Sequence, residues 1–229
     1  MKRFWTDVTV DADRAIRLDA RPVRTPGRAP LALPTGALAE AVADEWRAVG
    51  ETLDPRAMPL TGLANAAIDR IAAAPDGYAA GLAAYAESDL LCYRADAPAA
   101  LVARQAAAWD PLLDWARDRY YVHFEIVTGV MHRAQPPATI ARLADAVASR
   151  DAFHLAALSP LVTLTGTLVG ALALAEGAVS ADELWRAAMV DEDWQVECWG
   201  EDTLATQARE GKRRDYDAAV CFVSLLENG

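Results

Sequence analysis

Residues 191–202, Asp-Glu-Asp-Trp-Gln-Val-Glu-Cys-Trp-Gly-Glu-Asp, place six carboxylates and two tryptophans in one short run without a basic residue. Carboxylates at this density can chelate a divalent cation, work as a general acid and base, or grip a basic protein surface. Numbered as a twelve-residue calcium loop, the run puts Asp191, Asp193, Gln195, Glu197 and Asp202 at positions 1, 3, 5, 7 and 12. The match is superficial. Position 6 takes a glycine for the sharp turn, and Val196 is β-branched. Position 12 takes a bidentate Glu, and Asp202 is shorter. Two tryptophans also suit a hydrated loop poorly.

Wound as a helix, the same run stacks Asp193, Glu197 and Glu201 on one face at intervals of four. Like charges so spaced repel by ~0.2–0.5 kcal/mol per pair. Two explanations remain open from the residues alone. The face is solvated and its charge is offset by Arg209, Arg213 and Arg214. Or Trp194 and Trp199 anchor a partner while Asp193, Glu197, Glu201 and Asp202 set its register and exclude wrong ligands.

An enzyme needs more than carboxylates. The chain has no GxSxG, HExxH, Walker loop or GxGxxG motif. Gly211-Lys212 lacks both the upstream glycine and the following Ser or Thr of a phosphate loop. His123, His132 and His154 have no metal-ligand spacing. Cys198 lies among carboxylates, a setting that disfavours a thiolate nucleophile. A carboxylate-dependent hydrolase or a divalent-metal-binding protein using residues 191–202 is the rival reading, although nothing selects a catalytic pair. No cofactor is implied.

Composition narrows the partner. The formal net charge of −11 argues against nucleic acid, which needs a basic face to displace counterions. An odd set of cysteines, Cys92, Cys198 and Cys221, without CxxC spacing predicts free and mostly buried thiols in a reducing compartment. The N-terminus has neither the apolar core of a signal peptide nor a transit segment, so a cytoplasmic location is expected. Residues 155–175 carry no charge and approach the length of a membrane span. Ser159-Pro160 interrupts them, and Thr163, Thr165, Gly166, Thr167 and Gly170 lower their hydrophobicity. The expectation is a central buried helix and no membrane contact, with Gly166 and Gly170 sharing a face.

The elements that position the acidic run follow from periodicity. Val8 and Val10, then Ile16 and Leu18, alternate with polar neighbours around Asp11 and Asp13, as a hairpin does. Leu31 and Leu33 predict one more short strand. Thr35 is a good N-cap for a helix burying Leu38, Val42, Trp46 and Val49. Leu60, Leu63, Ala64, Ala67, Ile68 and Ile71 form the next stripe. Helices follow over about 78–92, 98–120, 137–149, 160–175, 181–199 and 204–226, the last burying Tyr216, Val220 and Val223. Residues 121–127 read as an extended connection. The fold class is α+β: a small β-containing N-terminal domain, 1–60, then a larger all-α helical domain, 61–229, with the boundary between 50 and 80.

The ordered blocks along the chain add a resemblance. They are Arg3-Phe4-Trp5, Leu18 through Pro26, Leu33-Pro34-Thr35, Glu45-Trp46, Met58-Pro59-Leu60-Thr61, Leu63-Ala64-Asn65 and Ile68-Asp69. Then come Ser88 through Arg94, Trp109-Asp110-Pro111-Leu112-Leu113, Thr165-Gly166-Thr167-Leu168, and Asp191-Glu192 through Trp199-Gly200-Glu201-Asp202. Together they resemble the ATP synthase assembly chaperones that bind the unassembled alpha subunit of the enzyme's soluble catalytic head. The family pattern usually has glycine where Ala20 stands, and it loosens after Asp202. The resemblance implies a β-containing domain before a helical one and no catalysis. It implies a partner, the free alpha subunit, shielded from aggregation until the beta subunit arrives. It also implies that an acidic position in the last block matters, carried over to Glu201 with Asp202 and Glu197 as neighbours. A bacterial, cytoplasmic, monomeric member is expected.

Overall fold

The structure, a computed structural model, describes residues 2–227. Its class is α+β, a few short strands near the N-terminus preceding a larger helical part. The chain divides into two compact units. One comprises the chain through Pro75, Arg150–Ala157, and the stretch from Asp217 on. The other comprises Asp76–Ser149 and Leu158–Tyr216. This division is discontinuous in the sequence.

In the first unit, β1 (Val8–Val10), β2 (Ile16–Leu18) and β3 (Arg21–Pro22) form an antiparallel meander. Val8 faces Leu18 and Val10 faces Ile16, so the alternating apolar residues share one face. Leu31 and Leu33 are buried as the pattern requires, but they form no separate strand. Isolated bridges join Ala15 to Ala32 and Arg24 to Pro30 instead. Pro30 and Pro34 flank this segment and supply no ladder N–H, which limits the pairing. Helix α1 (Gly36–Arg47) starts at Thr35, whose hydroxyl accepts the Leu38 N–H at 3.2 Å. It buries Leu38, Val42 and Trp46, the last 5.5 Å from the Trp5 ring centre. Helix α2 (Pro59–Ala66) is capped across space: Leu60 and Thr61 N–H each donate to the Glu45 carboxylate at 2.7 Å.

The second unit is built on α3 (Pro75–Ala83), α4 (Ala99–Tyr120), α5 (Pro137–Ala148), α7 (Leu168–Ala175), α8 (Ala181–Ala188) and α9 (Val190–Trp199). Helices α6 (Ala152–Thr165) and α10 (Thr203–Glu227) contribute residues to both units. A short parallel pair joins β4 (Tyr93–Arg94) to β5 (Val127–Thr128).

The uncharged stretch is two helices, broken elsewhere than expected. Pro160 sits inside α6, and the break falls at Gly166, whose φ of 71° leaves the helical region. Gly166 and Gly170 therefore do not share a helix face. Gly170 alone makes a close approach: a Cβ there would lie 2.5 Å from Leu184 Cδ1. Leu168–Ala173 is buried throughout, so α7 is the central element of its unit. No helix among the described residues is long and apolar enough to cross a membrane. Its N-terminus is fixed by Asp89, fully buried, which accepts the Val169 N–H at 3.0 Å and the Leu91 N–H at 3.1 Å. Only Cys92 of the three free cysteines is buried, so the expectation of mostly buried thiols fails.

Candidate functional site

The acidic run is not a loop. Residues 191–199 lie in α9, which follows α8 after the single residue Met189. Asp191, Glu192 and Asp193 occupy its first turn, where the positive end of the helix dipole favours carboxylates. Gly200 ends the helix at φ 85°, ψ 174°, a conformation that essentially only glycine adopts. The expected stack of Asp193, Glu197 and Glu201 is thus cut after Glu197. Glu201 lies beyond the break, in the corner between α9 and α10.

Most of the carboxylates are committed to this chain's own groups. Asp191 accepts from Gln105 Nε2 at 2.7 Å, while Gln105 Oε1 accepts the Ala95 N–H at 2.8 Å. Glu192 pairs with Lys212 at 3.0 Å, and Asp193 with Arg209 at 2.5 Å. Glu197 is held by both terminal nitrogens of Arg104, each at 2.7 Å. That bidentate bond, assisted by the guanidinium charge, holds the Glu197 carboxyl below the usual carboxylate range. The same guanidinium covers the half-buried Trp194, 5.0 Å from its ring centre. Asp202 caps α10: its Oδ1 accepts the Ala205 N–H at 2.8 Å.

Two residues of the run stand apart. Glu201 is exposed and has neither hydrogen bond nor ion pair among the described residues. Trp199 is 80% exposed. Leu204, at the start of α10, is also exposed, at 76%. A groove of about 690 Å³ runs between α9 and the start of α10, walled by Val196, Trp199, Glu201, Ala205, Arg209 and Lys212. It offers an exposed ring, exposed aliphatic surface and the Glu201 carboxylate, which has no partner among the described residues.

The sequence-predicted set is therefore sorted by geometry. Glu201 and Trp199 meet at an open corner. Asp193, Glu197 and Trp194 are drawn into internal contacts, and Asp202 spends its carboxylate on a helix cap. Of the arginines expected to neutralise the run, Arg209 does so. Arg213 pairs with Asp182 at 2.8 Å and lies over the Trp185 ring. Arg104, Gln105 and Lys212 were not foreseen. Arg104 and Gln105 are in α4, far away in sequence, and no local signal points from them to α9. Leu204 was not singled out either, although a signal for it exists: it lies twelve residues before Tyr216, ~120° around the helix from the buried stripe. Among the described residues, no three His, Cys, Asp or Glu side chains are grouped to hold a metal ion.

With this geometry in hand, comparison with known proteins gives the class first: a chaperone. The family model that matches is the ATP12 chaperone protein, over residues 2–117. The solved structure of Atp12 from Paracoccus denitrificans is 43% identical, with TM-score 0.88, over 98% of this chain and 96% of that one. A mutant of the same Paracoccus protein superposes with TM-score 0.89 at 43% identity and the same coverage. The Atu1473 protein from Agrobacterium tumefaciens is also 43% identical, with TM-score 0.93, over 98% of this chain and 86% of that one. The chain belongs to the ATP12 chaperone family.

Proposed function

We propose that this chain is an assembly factor for the soluble catalytic head of ATP synthase. It binds the free alpha subunit and keeps it from aggregating until the beta subunit pairs with it. Family membership supports the chaperone role. The observation that carries the site is the contrast within the acidic run: Glu201 is unpaired beside an exposed Trp199, while its neighbours are internally bound. A desolvated aromatic contributes most of the binding energy in such contacts, and a charge at the rim sets orientation and encounter rate.

In this reading Trp199 and Leu204 cover apolar surface on the alpha subunit that otherwise self-associates. Glu201 pairs with a basic group there. Because the contact holds one free carboxylate rather than six, its charge term is modest, and the beta subunit can displace the chaperone by competing for the same surface. The chaperone acts as a monomer in the cytoplasm. Co-purification with tagged alpha and tagged beta subunits tests it. Recovery with alpha alone is expected, and recovery with neither contradicts the reading.

A further inference from the structure

Between Tyr121, at φ 55°, and Gly129, at φ 87°, runs a segment ending in β5 that the acidic corner does not use. One of its edges is stapled by side chains. Thr139 Oγ1 accepts the His123 N–H at 3.2 Å and donates to the His123 C=O at 2.6 Å. The Gln135 amide brackets Glu125 in the same way, accepting its N–H and donating to its C=O at 2.9 Å each. Both clamping residues are buried. Further along, Val127 and Thr128 pair with Tyr93 and Arg94, and the Gly129 N–H donates to the Arg94 C=O at 2.8 Å. Alternate residues of an extended chain point their backbone groups to the same edge. Residues 123, 125, 127 and 129 therefore share the satisfied edge.

Phe124, Ile126 and Thr128 face the other edge, and among the described residues neither Phe124 nor Ile126 has a backbone hydrogen bond. Ile126 is 41% exposed, and Val130 and Met131, just beyond, are 92% and 79% exposed. The charge of Glu125 is partnered by Arg133 at 3.4 Å. We infer that residues 124–128 form an open β-edge that captures an extended apolar segment of a non-native client chain by strand addition. An unpaired strand edge is a template for any extended peptide, because its hydrogen bonds are sequence-independent. A client segment fits better than a second copy of this chain, since two copies at −11 each repel. The choice of client rests on the chaperone reading above, while the edge itself does not.

Amide hydrogen exchange resolved by NMR tests it on the full chain, alone and with two probes. One probe is the free alpha subunit, and the other is a permanently unfolded polypeptide, reduced and alkylated lactalbumin. Exchange at Phe124 and Ile126 is expected to slow by about tenfold or more with either probe. Slowing with lactalbumin alone supports the edge while removing the alpha subunit as its client. Ile126→Pro deletes the edge N–H where Ile126→Ala keeps it. The proline variant should weaken lactalbumin binding by about tenfold, and the alanine variant by much less. Unchanged exchange at both amides with both probes overturns the inference. So does slowing that tracks the concentration of this chain without a probe, which would mark a second copy as the occupant.

Discussion

Arg104 grips both carboxylate oxygens of Glu197 at 2.7 Å, joining the second turn of α4 to the last turn of α9. Removing either partner affects the clamp, not the exposed corner. Glu197→Gln is expected to lower Tm slightly and to leave alpha-subunit binding within about twofold. Arg104 keeps the Glu197 pKa below the usual range, so the pair's contribution is present above the unfolded carboxylate pKa. It is lost as pH falls through the lower folded value. Thermal melts from neutral pH into acid, with and without the substitution, should converge only at the acid end.

Asp89 shows the opposite sign. Burial pushes its carboxyl up, against the Val169 and Leu91 N–H bonds that favour the charged form. A carboxyl whose folded pKa is raised contributes most stability below its unfolded pKa. That contribution falls as pH rises through the folded value. Asp89→Ala should therefore flatten stability across this interval. It should also cost about 2–3 kcal/mol at neutral pH, because two buried N–H groups lose their acceptor. Urea denaturation at a series of pH values measures both effects.

Gly200 sets the direction of the chain between Trp199 and Glu201. At φ 85°, ψ 174° any side chain is strained. Gly200→Ala is expected to cost about 1–3 kcal/mol. If α10 swings to relieve that strain, Glu201 moves relative to Trp199 and alpha-subunit binding weakens further. Calorimetry paired with a binding titration separates the two effects. A Gly200→Ala variant with unaltered stability would contradict the strain.

Much of this architecture was legible in the residues. The Val8/Val10 and Ile16/Leu18 alternation gave a real hairpin, and Thr35 caps α1 as its hydroxyl predicts. Errors arose where local signals compete with tertiary ones. Pro160 looked like a stop, yet α6 accommodates it, and the chain breaks at Gly166 instead. Residues 181–199 read as one helix, and Met189 divides it. Within the acidic run, residue spacing gave the helical face but not Gly200's left-handed turn, which removes Glu201 from that face. Nor could spacing reveal that Arg104 and Gln105, about 90 residues earlier, satisfy Glu197 and Asp191. Which carboxylate stays free depends on long-range contacts, and those are not periodic.

The central claim is that the free carboxylate at Glu201, beside Trp199, holds the alpha subunit. Light scattering of the heat-stressed alpha subunit, with increasing amounts of this chain, tests it most directly. Among the described residues Glu201 has no hydrogen-bond or ion-pair partner, so Glu201→Lys should leave Tm within about 2 °C of the unsubstituted protein. It should nevertheless weaken protection by about tenfold in the concentration required, through repulsion of the basic group it faces, and Trp199→Ala by roughly ten- to a hundredfold. A folded Glu201→Lys protein that suppresses scattering as well as the unsubstituted chain would contradict the account.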